Sequence, residues 1–158
     1  GVLGLLDSGL WVPVSPKTAS PGWASFGHQV RAALALANAT ALVGGPCGER
    51  YPGPEGWKCL MAAYRLPFVR TPYFLLHSQY DQFALSMNLW GHWSFHPVGP
   101  GDMAWADGYR RLVLRYLPRP RNGSGVLAYS PACYDHCVAT KAEFWTTAAG
   151  GARLSELL

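Results

Sequence analysis

Asp81 and His136 are the two side chains in this sequence best suited to hydrolytic chemistry. A carboxylate beside an imidazole accepts the ring N–H, fixes the tautomer and stabilises the imidazolium. The imidazole takes a proton from a nucleophile and later returns it to a leaving group. Asp81 directly follows the run Pro72-Tyr-Phe-Leu-Leu-His-Ser-Gln-Tyr80, and His136 lies in Cys133-Tyr-Asp-His-Cys137, a short loop beyond residues 126–130. They are 55 positions apart, yet the carboxyl ends of neighbouring parallel strands would bring them together, at the rim where open parallel sheets meet their ligands. Each also has a plain structural role open to it. Asp81 can cap a helix and His136 can be a satisfied structural histidine, although a carboxylate at a helix start can cap and orient at once.

Other side chains point to less chemistry. No serine stands in a Gly-x-Ser-x-Gly elbow: Gly123-Ser124-Gly125 lacks the spacing, and Ser8 follows an Asp. His92 and His96 are four apart without an obvious third ligand, so no metal is expected. His77 lies within the strand run, packed or near the cleft, and His28 sits exposed on a helix. Cys47, Cys59, Cys133 and Cys137 are an even set that fits an oxidising compartment, and sequence alone leaves their three possible pairings open. Cys133-x3-Cys137 lacks the two-residue gap of redox motifs; paired, these cysteines would staple the His136 loop and preorganise the imidazole. Asn38 and Asn122 head N-x-[ST] sequons, which agree with secretion. Arg110, Arg111, Arg115, Arg119 and Arg121 read as a solvated face, with contact to an anionic polymer as the alternative. Trp90, Trp93, Phe95 and Trp105 suit core packing before a cleft wall.

The elements that must position the pair are legible in outline. Residues 2–6 are a short apolar run ending in Asp7-Ser8-Gly9, the pattern of a buried parallel strand with turn residues at its end. Ser20-Pro21 predicts a helix start, Trp23, Phe26, Val30, Leu34, Ala37 and Ala41 form one apolar stripe, and Gly44-Gly45-Pro46 predicts its end. Residues 46–71 read as a Pro- and Gly-rich excursion, and residues 72–80 as the clearest strand. A helix can begin in 82–90, and 91–101 is a loop. Asp102 predicts the cap of a second helix carrying Trp105, Tyr109, Leu112, Val113 and Tyr116 on one face until Pro118. Residues 126–130 are a last strand, followed by a Trp-containing segment at 140–147 and a terminal helix at 152–158. Strand, helix, strand, helix, strand, helix predicts an α/β fold with a mostly parallel sheet and crossover helices.

The composition, 49% hydrophobic and 14% charged over 158 residues, fits one folded domain with a real core. A net charge of +4 without a recognition motif argues against nucleic acid as partner, and no apolar stretch is long enough to span a membrane. The chain opens at Gly1 directly into an apolar run, like a strand entered partway, so it reads as truncated at its N-terminus.

These segments, in this order, resemble the pectin acetylesterase / Notum family. Pro72 to Asp81 is similar to the family's strand-plus-acid motif, and Ala132-Cys133-Tyr-Asp-His136-Cys137 with Phe144-Trp145 is similar to its histidine motif. Leu5-Leu6-Asp7-Ser8-Gly9 resembles the strand and turn after the nucleophile elbow, and Cys47-x11-Cys59 with Trp57-Lys58 also fits. The resemblance implies an α/β-hydrolase fold of which residues 1–158 are the C-terminal part, with about the last three strands present. It implies Asp81 as triad acid, His136 as triad base and the serine upstream of this chain. The expected activity is serine-type hydrolysis of O-acetyl esters on cell-wall pectin. The alternatives are a Notum-type fatty-acyl deacylase of proteins and a non-catalytic binding protein. The 158 residues alone are expected to be inactive. The resemblance further implies no cofactor, an ester substrate as partner, a monomer when complete, and secretion to the extracellular space or cell wall. Phe83 and Ala84 stand where plant members tend to show Trp-Gln, which bears on substrate identity rather than on the acid.

Overall fold

The computed structural model describes residues 1–17, 23–40, 43–119, 123, 125–146, 148–149 and 152–153. The first strand, β1 (Gly4–Asp7), leads by a loop to α1 (Phe26–Leu36). An excursion follows with α2 (Gly45–Arg50), a 3-10 segment at Gly53–Leu60, α3 (Ala62–Arg65) and a 3-10 turn at Leu66–Phe68. β2 (Tyr73–Leu76) continues through His77-Ser78-Gln79 into β3 (Tyr80–Asp81), which passes directly into α4 (Gln82–Trp90). Then come α5 (Pro100–Tyr116), β4 (Val126–Tyr129), β5 (Tyr134–Asp135), a 3-10 turn at Val138–Thr140, α6 (Ala142–Thr146), and the strands β6 (Ala148–Ala149) and β7 (Ala152–Arg153).

The fold is α/β with a parallel sheet, as the sequence implied. β1, β2 and β4 lie side by side in that order, Leu5 opposite Phe74 and Phe74 opposite Leu127. β2 is buried at all four positions because it is the central strand and both its faces are covered. Its side chains alternate between two cores. Tyr73 and Leu75 join Leu10, Val12, Met61, Leu85, Tyr109 and Val113 on one face, while Phe74 and Leu76 pack with Val138 and Phe144 on the other. Gly125, with φ of 63°, starts β4 against Pro72. A Cβ there would lie 2.8 Å from the proline ring, so only glycine fits.

Several boundaries differ from those expected. The Ser20-Pro21 helix start lies outside the described residues, and α1 is capped instead by Ser25, whose hydroxyl accepts from the His28 N–H. It ends at Leu36, with Asn38 in the left-handed region. Gly44-Gly45-Pro46 is a helix start rather than a stop: Gly44 caps α2 and the proline fills its first turn, where a missing N–H costs nothing. Asp102 does not cap α5. Gly99 does, and Asp102 sits in the first turn, paired with Lys17 at 2.5 Å. The terminal helix at 152–158 is not formed at its start, because Ala152–Arg153 pairs antiparallel with Ala148–Ala149; residues 154–158 lie outside the described set. A disulfide joins buried Cys47 and Cys59 and ties α2 to the 3-10 segment behind it.

Candidate active site

One small parallel ladder at the end of the sheet brings the acid and the histidine together. The His77 N–H donates to the Tyr129 carbonyl at 3.1 Å and the Gln79 N–H to the Pro131 carbonyl at 2.9 Å, extending the pairing of β2 with β4 past their ends. β3 then pairs with β5, Tyr80 opposite Tyr134 and Asp81 opposite Asp135. Gln79 locks this junction: its side-chain N–H donates to the Ser130 carbonyl at 2.6 Å, and its carbonyl accepts from Arg110 Nε at 2.7 Å. Arg110 thereby serves the fold, while Arg121 lies outside the described residues. Tyr80 adds a second tie to α5 by donating to Asp107 at 2.7 Å.

Asp81 is 2% exposed and divides its work between its oxygens. Oδ1 accepts from the Ala84 N–H at 2.8 Å and caps α4; Oδ2 stands 2.7 Å from His136 Nδ1. The two roles weighed for this aspartate coexist. The hydrogen bond to Asp81 raises the His136 pKa above 6.5, against partial burial, with the charges of Asp81, Asp7 and Asp135 adding to the rise. Since Nδ1 faces the carboxylate, Nε2 is the nitrogen left for a reacting group.

Aromatic rings seat the imidazole. Phe83 lies 5.5 Å from it between centroids and Trp93 packs edge-on at 5.7 Å. The loop carrying Trp93 is held by the Ser94 carbonyl, which accepts from Gln82 Nε2, the Ser86 hydroxyl and the Tyr134 hydroxyl. Of the aromatics expected to pack, Trp90 and Trp105 join the main core, whereas Phe95 is 79% exposed. His136 also lines a cavity of about 650 Å³ that runs along β1 past Leu6, Trp11, Leu60, Leu66 and Val69.

Sequence reasoning read Asp7 and Ser8 only as turn residues, yet both reach the backbone just after His136. Cys137 N–H donates to Ser8 Oγ at 2.8 Å, and Val138 and Ala139 N–H donate to the two Asp7 oxygens at 3.1 and 3.0 Å. No local pattern could have revealed this, because the partners are 129 to 132 positions apart.

The staple considered for Cys133 and Cys137 is absent, and both are free thiols. The half-buried Cys133 sulfur sits 3.3 Å from the Ser78 hydroxyl, while Cys137 is exposed in the left-handed region; backbone hydrogen bonds do the holding instead. Burial, and then the carboxylates of Asp7, Asp81 and Asp135, push the Cys137 thiol up, away from a reactive thiolate. His92 and His96 are exposed, and among the described residues no three His, Cys, Asp or Glu side chains are grouped to hold a metal ion. Asn38 is exposed just beyond α1; Asn122 lies outside the described residues. Ser8 shares the cavity with His136, but its hydroxyl is committed to Asp7 and to the Cys137 N–H.

Residues 1–156 match the family model described as pectinacetylesterase. No curated protein matches the chain.

Proposed function

Because the chain belongs to the pectinacetylesterase family, we propose that it provides the acid and the general base of a serine-type carboxylesterase acting on O-acetyl esters of pectin. The observation that carries this reading is the 2.7 Å contact between Asp81 Oδ2 and His136 Nδ1 at the end of a parallel sheet. His136 Nε2 takes the proton of a serine hydroxyl as that oxygen attacks the ester carbonyl, then gives it to the departing sugar oxygen. The acyl-enzyme is opened by a water from which His136 again takes the proton. Asp81 holds the ring in the tautomer that leaves Nε2 basic. The 158 residues contain no Gly-x-Ser-x-Gly, so the nucleophile comes from polypeptide outside them. The Cys47–Cys59 bridge and the exposed Asn38 sequon support secretion to the extracellular space or cell wall.

The test uses the full-length protein and an acetylated pectin oligosaccharide. Asp81→Asn, which keeps the shape but allows the wrong tautomer, is expected to lower kcat by roughly 10⁴-fold, and His136→Ala to be at least as damaging. Wild-type turnover in both variants would remove Asp81 and His136 from the reaction, and no turnover by the full-length wild type would leave a non-catalytic binding protein as the reading. Turnover by the 158 residues alone, abolished by Asp81→Asn, would move the nucleophile into this chain.

The apolar cavity beside His136 favours a second substrate reading, a fatty acyl ester of the Notum type. A series of esters from acetyl to long-chain acyl separates the two. A kcat/KM highest for acetyl supports the polysaccharide ester, and one rising with chain length supports the acyl pocket.

A further inference from the structure

We propose that Asp7 and Ser8 are positioning residues that hold the backbone behind His136, so that its ring meets Asp81 at one end and a fixed loop at the other. The inference rests on the esterase reading above and adds residues to it. β1 delivers both side chains. The Ser8 N–H donates to the Leu76 carbonyl at 2.7 Å, tying the residue to the central strand, and its φ of 55° turns the chain at that point. Ser8 Oγ donates to Asp7 Oδ1 at 3.1 Å and accepts from the Cys137 N–H at 2.8 Å. The carboxylate then takes the N–H groups of Val138 and Ala139.

Those two amides open the 3-10 turn Val138–Thr140, whose own cap position, Cys137, offers no side-chain hydrogen bond. Asp7 thus does for this turn what a capping residue does locally, and it does so from another strand. Cys137 itself is a non-glycine residue at φ 56°, ψ 52°, a conformation that persists only when its surroundings over-determine it. The clamp is what fixes it, one residue after the imidazole.

Asp7 also carries charge. The ionisable groups around His136 are Asp81 and Asp7, Asp135 with its Lys141 partner, and His77 on the buried side. The Asp7 carboxylate favours the imidazolium, whereas the Ser8 hydroxyl has no charge to lose. Substitution therefore separates geometry from electrostatics.

In the full-length protein, with a small acetyl ester as substrate, Asp7→Asn is expected to lower kcat by up to about 100-fold with KM little changed. It should also move the acid limb of the kcat/KM profile to lower pH. Ser8→Ala should lower kcat while leaving that limb in place, and both variants should speed hydrogen exchange at the Val138 and Ala139 amides. Wild-type kcat and an unmoved limb in Asp7→Asn would overturn the proposal. Should that variant fail to fold, wild-type kcat in Ser8→Ala would do the same. In either case the assignment of Asp81 and His136 as acid and base survives as long as Asp81→Asn remains inactive; if Asp81→Asn is active too, it is that assignment that has failed.

Discussion

Two histidines stand at the same end of this sheet in nearly the same field of carboxylates, and they are driven in opposite directions. His77 follows the last residue of β2 and is 1% exposed. Its ring lies against the Ser8 backbone, and neither nitrogen makes a hydrogen bond of normal geometry among the described residues. Burial lowers its pKa despite the nearby charge of Asp81. The His136 side chain is 21% exposed and bonded to Asp81, and that bond raises its pKa. The charge environment alone does not decide which histidine becomes a base. A direct carboxylate partner and access to a cavity do, because desolvation of a ring without a carboxylate partner outweighs attraction through space.

The sharpest way to break this contrast is to remove each ring in turn. His136→Ala should abolish turnover. His77→Leu should keep turnover and raise unfolding stability by about 1 kcal/mol, since it replaces buried nitrogens held by no more than a weak contact to the Ser8 backbone with an apolar group of similar size. Denaturant unfolding and ester hydrolysis on the same two preparations decide it. Loss of turnover in a stably folded His77→Leu would give that ring a role in the reaction and erase the distinction.

The difference in legibility follows the same line. Asp81 and His136 could be singled out because the one closes a short apolar run and the other lies a short loop beyond the next, and runs of that kind become strands whose ends meet. β2 was legible for the same reason: Tyr73, Phe74, Leu75 and Leu76 must be buried on both faces. The division of Asp81 between cap and imidazole was open in the sequence as two compatible roles. The Asp7–Ser8 clamp was not legible, because its partners are on the far side of the chain order and leave no spacing to read. Nor was the isolation of His77, which depends on what the whole fold places around it. Gly44-Gly45-Pro46 misled because glycine and proline punctuate both ends of helices, and Asp102 misled because a carboxylate favours the first turn as well as the cap. Cys133 and Cys137 stayed unpaired, the Cys133 sulfur meeting the Ser78 hydroxyl instead, which sequence proximity could not foretell.

A smaller effect sharpens the comparison further, the pH dependence of stability. His77 has a lower pKa folded than unfolded, so below its unfolded value of 6.5 the unfolded chain binds the extra proton. Its contribution is complete above that pH and drains away as the pH falls toward the folded value, with a slope of at most about 1.4 kcal/mol per pH unit for one proton. His136 has the opposite sign. Its folded pKa is raised, so its contribution is complete below 6.5 and is lost as the pH rises through the folded value. Together the two rings place a stability maximum near pH 6.5, and unfolding midpoints taken between about pH 5 and 8 should trace it. His77→Leu should flatten the acid side alone, and His136→Gln the alkaline side alone. If either substitution flattens both sides, the two imidazoles titrate as one coupled unit, and the contrast drawn between a dry ring and a working one does not hold.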